Sequence, residues 1–191
     1  MTSLVRTLMV SAMLATSVAQ AQRVAAAPDS LKWPTGTFSI VAMDRTTGEM
    51  GAAVQSRVFS VGNGVLWAES AVGVAATQAI VDVSYGPQAL ELLRKGLPAA
   101  EVVRQVLAND TDPDSVRWSK QGRQFAVLDA NGNIVTHTGP KATTWAGGKV
   151  CAMPHTCAAQ GNILAGPGRS EEHTSELQSH LNLVCRLLLE K

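Results

Sequence analysis

Beyond its first 21 residues, the sequence lacks any apolar run long enough to cross a bilayer. A spanning helix needs about 20 such residues, so no stable membrane insertion is expected once that first segment is removed. Nor is there a surplus of either charge. Sixteen Lys and Arg face fifteen Asp and Glu, for a net charge of +1, and no basic stripe stands out. Nothing therefore argues for a nucleic-acid or anionic-membrane partner. Internal repeats, low-complexity stretches and a glycine-rich phosphate loop are also missing, and no cofactor is expected. His137 and His155 are isolated, without a Ser/His/Asp arrangement. Cysteine is scarce: there are three. Cys185 belongs to the end segment discussed below. Cys151 and Cys157 flank His155 in a C-x5-C loop. In an oxidising compartment that loop reads first as a local disulfide, with two free thiols as the alternative. A metal site of Cys151, His155 and Cys157 matches no common zinc spacing and has no evident fourth ligand.

Both ends read differently from the middle. Residues 1–21 have the form of a signal peptide: Arg6, an apolar stretch from Leu8 to Val18, and small residues in Ala19-Gln20-Ala21. A retained N-terminal anchor is the alternative. The expected location is periplasmic or secreted. At the other end, Arg169 to His180 reads RSEEHTSELQSH, which resembles a translated sequencing adaptor, and residues 169–191 are expected to be a non-native tail. The competing reading is a natural amphipathic helix, since Leu177, Leu181, Val184 and Leu188 have helical spacing. One domain is then expected over 37–168, truncated at its C-terminal side, with 22–36 as linker or propeptide.

Within that domain the pattern groups strands instead of alternating them with helices. Thr37 to Asp44 alternates as a strand, Arg45 to Gly48 turns with glycine where positive φ is needed, and Met50 to Arg57 returns. Val65–Glu69 and Val72–Ala79 are further strands. Ser84 and Pro87 open a helix that Gly96 ends, and a second helix runs from Leu97-Pro98 to Asn109. A hairpin follows, Gln124–Asp129 and Ile134–Thr138, around Asn131-Gly132. Residues 140–148 read as a loop carrying Trp145, and Ala158–Leu164 as a last strand. This order argues for an α+β fold with antiparallel sheet.

The segments TFSIVAMDRTTGEMGAAVQSR, VLWAESAVGVAATQA, SYGPQALELLRKG and AAQGNILAGP, in that order, resemble the domain-of-unknown-function 1028 family over residues 37 to about 167. The resemblance implies an αββα sandwich of the N-terminal-nucleophile hydrolase type. That family has no established activity. Some members carry a peptidoglycan-binding module, which makes a small or cell-wall-derived amide the expected substrate class. A homo-oligomer is compatible with such a fold.

The more distant likeness to proteasome-type subunits suggests where chemistry would sit. Gly36-Thr37 has the residue types at which such propeptides are cut. Freed as residue one, Thr37 would be a nucleophile with its own α-amine as base. That amine has a pKa of roughly 7.7–8.0, near working pH. The alternative is an ordinary β-branched residue that starts a strand. Gln55-Ser56-Arg57 stands where the proteasome group has Asp-Ser-Arg, and that group's lysine is missing. Arg57 with Glu69 would organise the site, or form a purely structural ion pair. Gln55 would bind a substrate amide or be a satisfied core residue. Gly86, opening a helix, would offer its N–H to an oxyanion or simply suit a helix start. Asn162, in Gln160-Gly161-Asn162, would contact oxyanion or substrate. Trp67 and Trp145 would line a pocket or pack in the core. Two functions follow: an exported amide hydrolase, or a non-catalytic binding or assembly module on the same fold.

Overall fold

The computed structural model describes residues 36–143, 145–152, 156–164 and 166. The expected signal peptide, the linker up to residue 35, His155 and the end segment from Arg169 lie outside the described residues. The chain enters a hairpin of β1 (Thr37–Met43) and β2 (Met50–Gln55). The carboxylate of Asp44 accepts from the Thr46 and Thr47 amides at the bend. Gly48 takes φ of 77° there, a conformation glycine adopts without a Cβ penalty. A one-turn helix α1 (Gly62–Val65) leads into β3 (Leu66–Glu69) and β4 (Gly73–Ala79). Two longer helices follow, α2 (Tyr85–Arg94) and α3 (Ala99–Asn109), then β5 (Arg123–Asp129), β6 (Ile134–Thr138), β7 (Gly147–Val150) and β8 (Thr156–Asn162).

These elements make a mixed α+β fold with two four-stranded antiparallel sheets. The first has the order β2-β1-β8-β7, the second β3-β4-β5-β6. Both helices are amphipathic at helical spacing, with Tyr85, Ala89, Leu90 and Leu93 on one and Ala99, Val102, Val103 and Val106 on the other buried. Those faces close over Ala75, Phe125 and Val127 on the outer face of the second sheet. Fully burying side chains of this size contributes roughly 1.5–3 kcal/mol each. The inner faces of the two sheets meet through Val41, Val74, Ala76, Ala126, Leu128 and Ala158.

Local signals hold in part. Helix α2 ends as expected at Gly96, with φ of 80°. There Leu97 N–H donates to Leu92 O and Gly96 N–H to Leu93 O, the paired closure that satisfies the last carbonyls. Its start differs from expectation. Ser84 makes no side-chain cap; its hydroxyl accepts from Gln88, while the Asp82 carboxylate accepts from the Ser84 amide. Helix α3 begins behind Pro98 without a side-chain cap of its own. Its first amide, Ala99, donates instead to Asp129. The same buried carboxylate accepts from Asn131, and from both the amide and the side chain of Asn133. Asp129 thus ties the β5–β6 turn to the positive end of α3. Strand β7 was not expected: its first two residues fall in the expected 140–148 loop and the other two just beyond it. It forms because Gly147–Val150 pairs with Ala158–Gly161 of β8, a partner that local sequence does not reveal. Cys151 and Cys157 are disulfide-bonded beside that pair.

Candidate functional site

The gap between the sheets changes character along its length. Side chains alternate across each strand, and on β1 the inward set is Thr37, Ser39, Val41 and Met43. At the Met43 end the gap is apolar, with Met50, Leu128 and Ile134. At the Thr37 end it is filled by amides and hydroxyls. Thr37 pairs with Asn162 in the β1–β8 register, and its Oγ1 lies 2.9 Å from Ser56 Oγ. Ser56 follows the last residue of β2, on the same face as Val54.

Behind Thr37 stand three fully buried glutamines, Gln78, Gln124 and Gln160. Gln78 Nε2 donates to Thr37 O at 3.2 Å, to Gln124 Oε1 at 2.8 Å and to Gln160 O at 3.3 Å. Its Oε1 accepts from Ser39 at 2.7 Å. Gln124 Nε2 donates to Thr138 Oγ1, Gly147 O and Gly161 O. Gln160 Nε2 donates to Ala76 O at 3.0 Å and its Oε1 accepts from Thr136. Asn162 Nδ2 reaches Gln124 Oε1 at 3.3 Å. The network crosses between the sheets and holds Thr37 from behind. Every side chain in it is uncharged. A buried polar group left without a partner costs about 1–3 kcal/mol, so the network persists only because its members satisfy one another. Of its glutamines, sequence reading picked out Gln160 alone, within Gln160-Gly161-Asn162. The signal for Gln78 and Gln124 was a polar residue on the inward face of an otherwise apolar strand.

The other expected residues do not converge on Thr37. Glu69 pairs with Gly73, while Gln78 reaches Thr37, so five residues of β4, about 17 Å of strand, separate Glu69 from the site. Arg94 holds Glu69 in a two-pronged ion pair, and these hydrogen bonds keep its carboxyl below the usual range. The Arg57–Glu69 pair expected from sequence is therefore not formed: Arg57 follows Ser56 at the Thr37 end, is exposed, and has no ion-pair partner among the described residues. Gln55 pairs with Phe38 and so projects from the outer face of its sheet, away from Thr37. Gly86 is buried on the helix side of the second sheet. A Cβ there would lie 2.1 Å from the Trp67 ring, so close helix–strand approach explains the glycine. Trp67 is a packing residue, with its Nε1 unpartnered. Trp145 stacks over Gly147. His137 lies on β6 opposite Phe125, and burial lowers its pKa. Only Thr37, Ser56 and Asn162 come together. Among the described residues no group of three or more His, Cys, Asp or Glu could hold a metal ion, and no helix is long and apolar enough to cross a membrane.

Residues 37–189 match the model of a family of unknown function, DUF1028. The chain belongs to the DUF1028 family. The match begins at Thr37. A solved structure from the same family, protein SPO2555 from Silicibacter pomeroyi, is 30% identical with a TM-score of 0.61. The similarity covers 69% of this chain but 54% of that one, so the chain spans about half the length of that relative. No curated protein matches the chain.

A second polar cluster of this DUF1028 chain lies at the same end, on the helix side. Tyr85 Oη donates to Asp110 Oδ2 at 2.6 Å, and Arg123 Nε donates to the same oxygen at 2.9 Å. Arg123 Nη1 donates to Ile80 O. Arg123 and Asp110 side chains are 4% and 1% exposed. Burial alone would raise the Asp110 pKa, but the hydrogen bonds from Arg123 and Tyr85 hold it below the usual range. Burial, then the Asp110 carboxylate, pushes the Tyr85 phenol up. Beside this cluster opens a groove of about 550 Å³, with Val81, Val83 and Trp118 among its walls and Asp82, Asp114 and Arg123 as its charged groups.

Proposed function

We propose that this chain has the N-terminal-nucleophile hydrolase type of sandwich and is an exported amide hydrolase acting through Thr37. The reading rests on one observation: the Thr37 hydroxyl sits at the polar mouth between the sheets, 2.9 Å from Ser56 Oγ, with its own carbonyl held by buried Gln78. The start of the family match at Thr37 supports it. Cleavage before Thr37 would put an α-amine into a cluster that has no ionisable side chain, making that amine the local base. Thr37 Oγ would then attack the substrate carbonyl carbon while the amine takes the hydroxyl proton. The carbon–nitrogen bond breaks as the amine returns that proton to the leaving nitrogen. Water, deprotonated by the same amine, hydrolyses the Thr37 ester and frees the acid. Asn162 pairs with Thr37 across β1 and β8 and is buried, with one Nδ2 hydrogen given to Gln124 Oε1; its second would meet the substrate oxygen. The substrate class is a small or peptidoglycan-derived amide, met in the periplasm or outside the cell.

The competing reading is a binding or assembly module. It is favoured by the position of Glu69, tied to Arg94 at the far end of the gap. The two separate on Thr37→Ala and Thr37→Ser, assayed for amine release from small amides and muropeptides after thermal melts have shown both variants folded. The hydrolase reading expects turnover to vanish in the alanine variant and survive in the serine variant. Turnover absent from the chain beginning at Thr37 favours the module, and turnover untouched by Thr37→Ala removes Thr37 as the nucleophile.

A further inference from the structure

Six of the large apolar side chains left in solvent gather at one end of the molecule, the Thr37 end. Val58 and Phe59 follow β2 where Gln55 pairs with Phe38. Val81 and Val83 follow β4, and Val116 and Trp118 precede Arg123, which pairs with Ala79 at the tip of β4. Val83 lies 3.7 Å from a Cβ placed on Gly64, which puts α1, three residues beyond Phe59, alongside the groove. Phe59 is 98% exposed. Together these side chains present roughly 700 Å² to water, given the 150–250 Å² an aromatic carries. The largest apolar patch of a typical monomer is about 300–600 Å², and a stable pair of proteins covers about 800 Å² on each partner.

The patch is complementary to itself. Its projecting part is Phe59, flanked by Arg57, an exposed cation without an ion-pair partner among the described residues. Its concave part is the groove of about 550 Å³ with Val81, Val83 and Trp118, where Asp82 is the carboxylate that faces solvent and Asp114 is held by Arg117 at 2.7 Å. We propose that this end is a twofold interface with a second copy of the chain, each copy placing Phe59 in the other's groove and Arg57 against the other's Asp82. A twofold contact uses the same patch on both partners, and this patch supplies both shapes and both charges.

The test is sedimentation velocity on the purified full chain, since interfaces of this size hold at micromolar concentrations or below. At roughly 50 µM the unaltered chain should sediment as a dimer. Phe59→Asp should weaken association at least about thirtyfold, as loss of a central aromatic does, with an unchanged melting curve because Phe59 is almost wholly in solvent. Val150→Asp, an exposed apolar residue on β7, should leave the dimer intact. A chain that stays monomeric, or a dimer indifferent to Phe59→Asp, overturns the proposal.

Discussion

Replacing Asp110 with alanine should cost this protein more than any change at its surface. The carboxylate is buried and accepts both the Tyr85 hydroxyl and the Arg123 guanidinium. Removing it leaves Arg123, itself 4% exposed, with a hydrogen bond to Ile80 O and only a 3.9 Å approach to Asp82. Breaking a buried ion pair from one side typically costs about 3–5 kcal/mol. Asp82 takes up part of the orphaned charge, so about 3 kcal/mol is expected. For a domain of this size that corresponds to a fall in Tm of roughly 6–12 °C. Thermal unfolding followed by circular dichroism would measure it, with Tyr85→Phe as a milder companion that deletes one hydrogen bond to a charged group, about 1.5–3 kcal/mol. The pH dependence has a definite sign. The folded pKa of Asp110 is depressed from its ordinary 3.8. Its contribution is therefore complete above that value and is lost as pH falls through the lower folded pKa. The gap between the unaltered chain and Asp110→Ala should be flat at neutral pH and close only in strong acid. A variant within about 1 kcal/mol of the unaltered chain at pH 7 would refute the idea that this pair is structurally required.

Gly86→Ala should lower stability by about 1–3 kcal/mol, the usual cost of overpacking, because its Cβ meets the Trp67 ring; an unchanged melt would mean that the helix can shift away at little cost. Gln78→Leu should be worse, since it strips partners from Ser39, Gln124 and the Thr37 carbonyl at once. Denaturant titration should show a loss of at least about 3 kcal/mol, on the scale of several buried groups left unpaired. Replacing Cys151 and Cys157 together with alanine removes a short loop closure worth about 2 kcal/mol, and intact mass before and after reduction would confirm the bond in the purified chain.

The framework was legible because its signals are local. Alternation in TFSIVAM, the Gly48 turn, the amphipathic spacing of Val102, Val103 and Val106, and the Asn131-Gly132 hairpin need no knowledge of distant residues. Strand β7 was hidden because Gly147-Gly148 carries no strand propensity of its own and forms only against β8. The cap of α3 was hidden for the same reason: its acceptor, Asp129, lies thirty residues further on. At the site, Thr37 and Asn162 come together because β1 pairs with β8, a pairing the sequence did not reveal, and the Arg57–Glu69 pair is not formed. Nothing in the spacing of those two residues told that β3 runs away from the Thr37 end, or that Arg94 would present itself to Glu69 from α2. The glutamine network was missed because buried polar residues are recognised by their partners, and those partners come from six different strands.

The most direct measurement is the N-terminal residue of the protein recovered after export, read by intact mass and N-terminal sequencing. A chain that begins at Thr37 is predicted, with its α-amine free to serve the adjacent hydroxyl. A stable exported chain that still carries residues ahead of Thr37 would leave that hydroxyl without a base and contradict the hydrolase account.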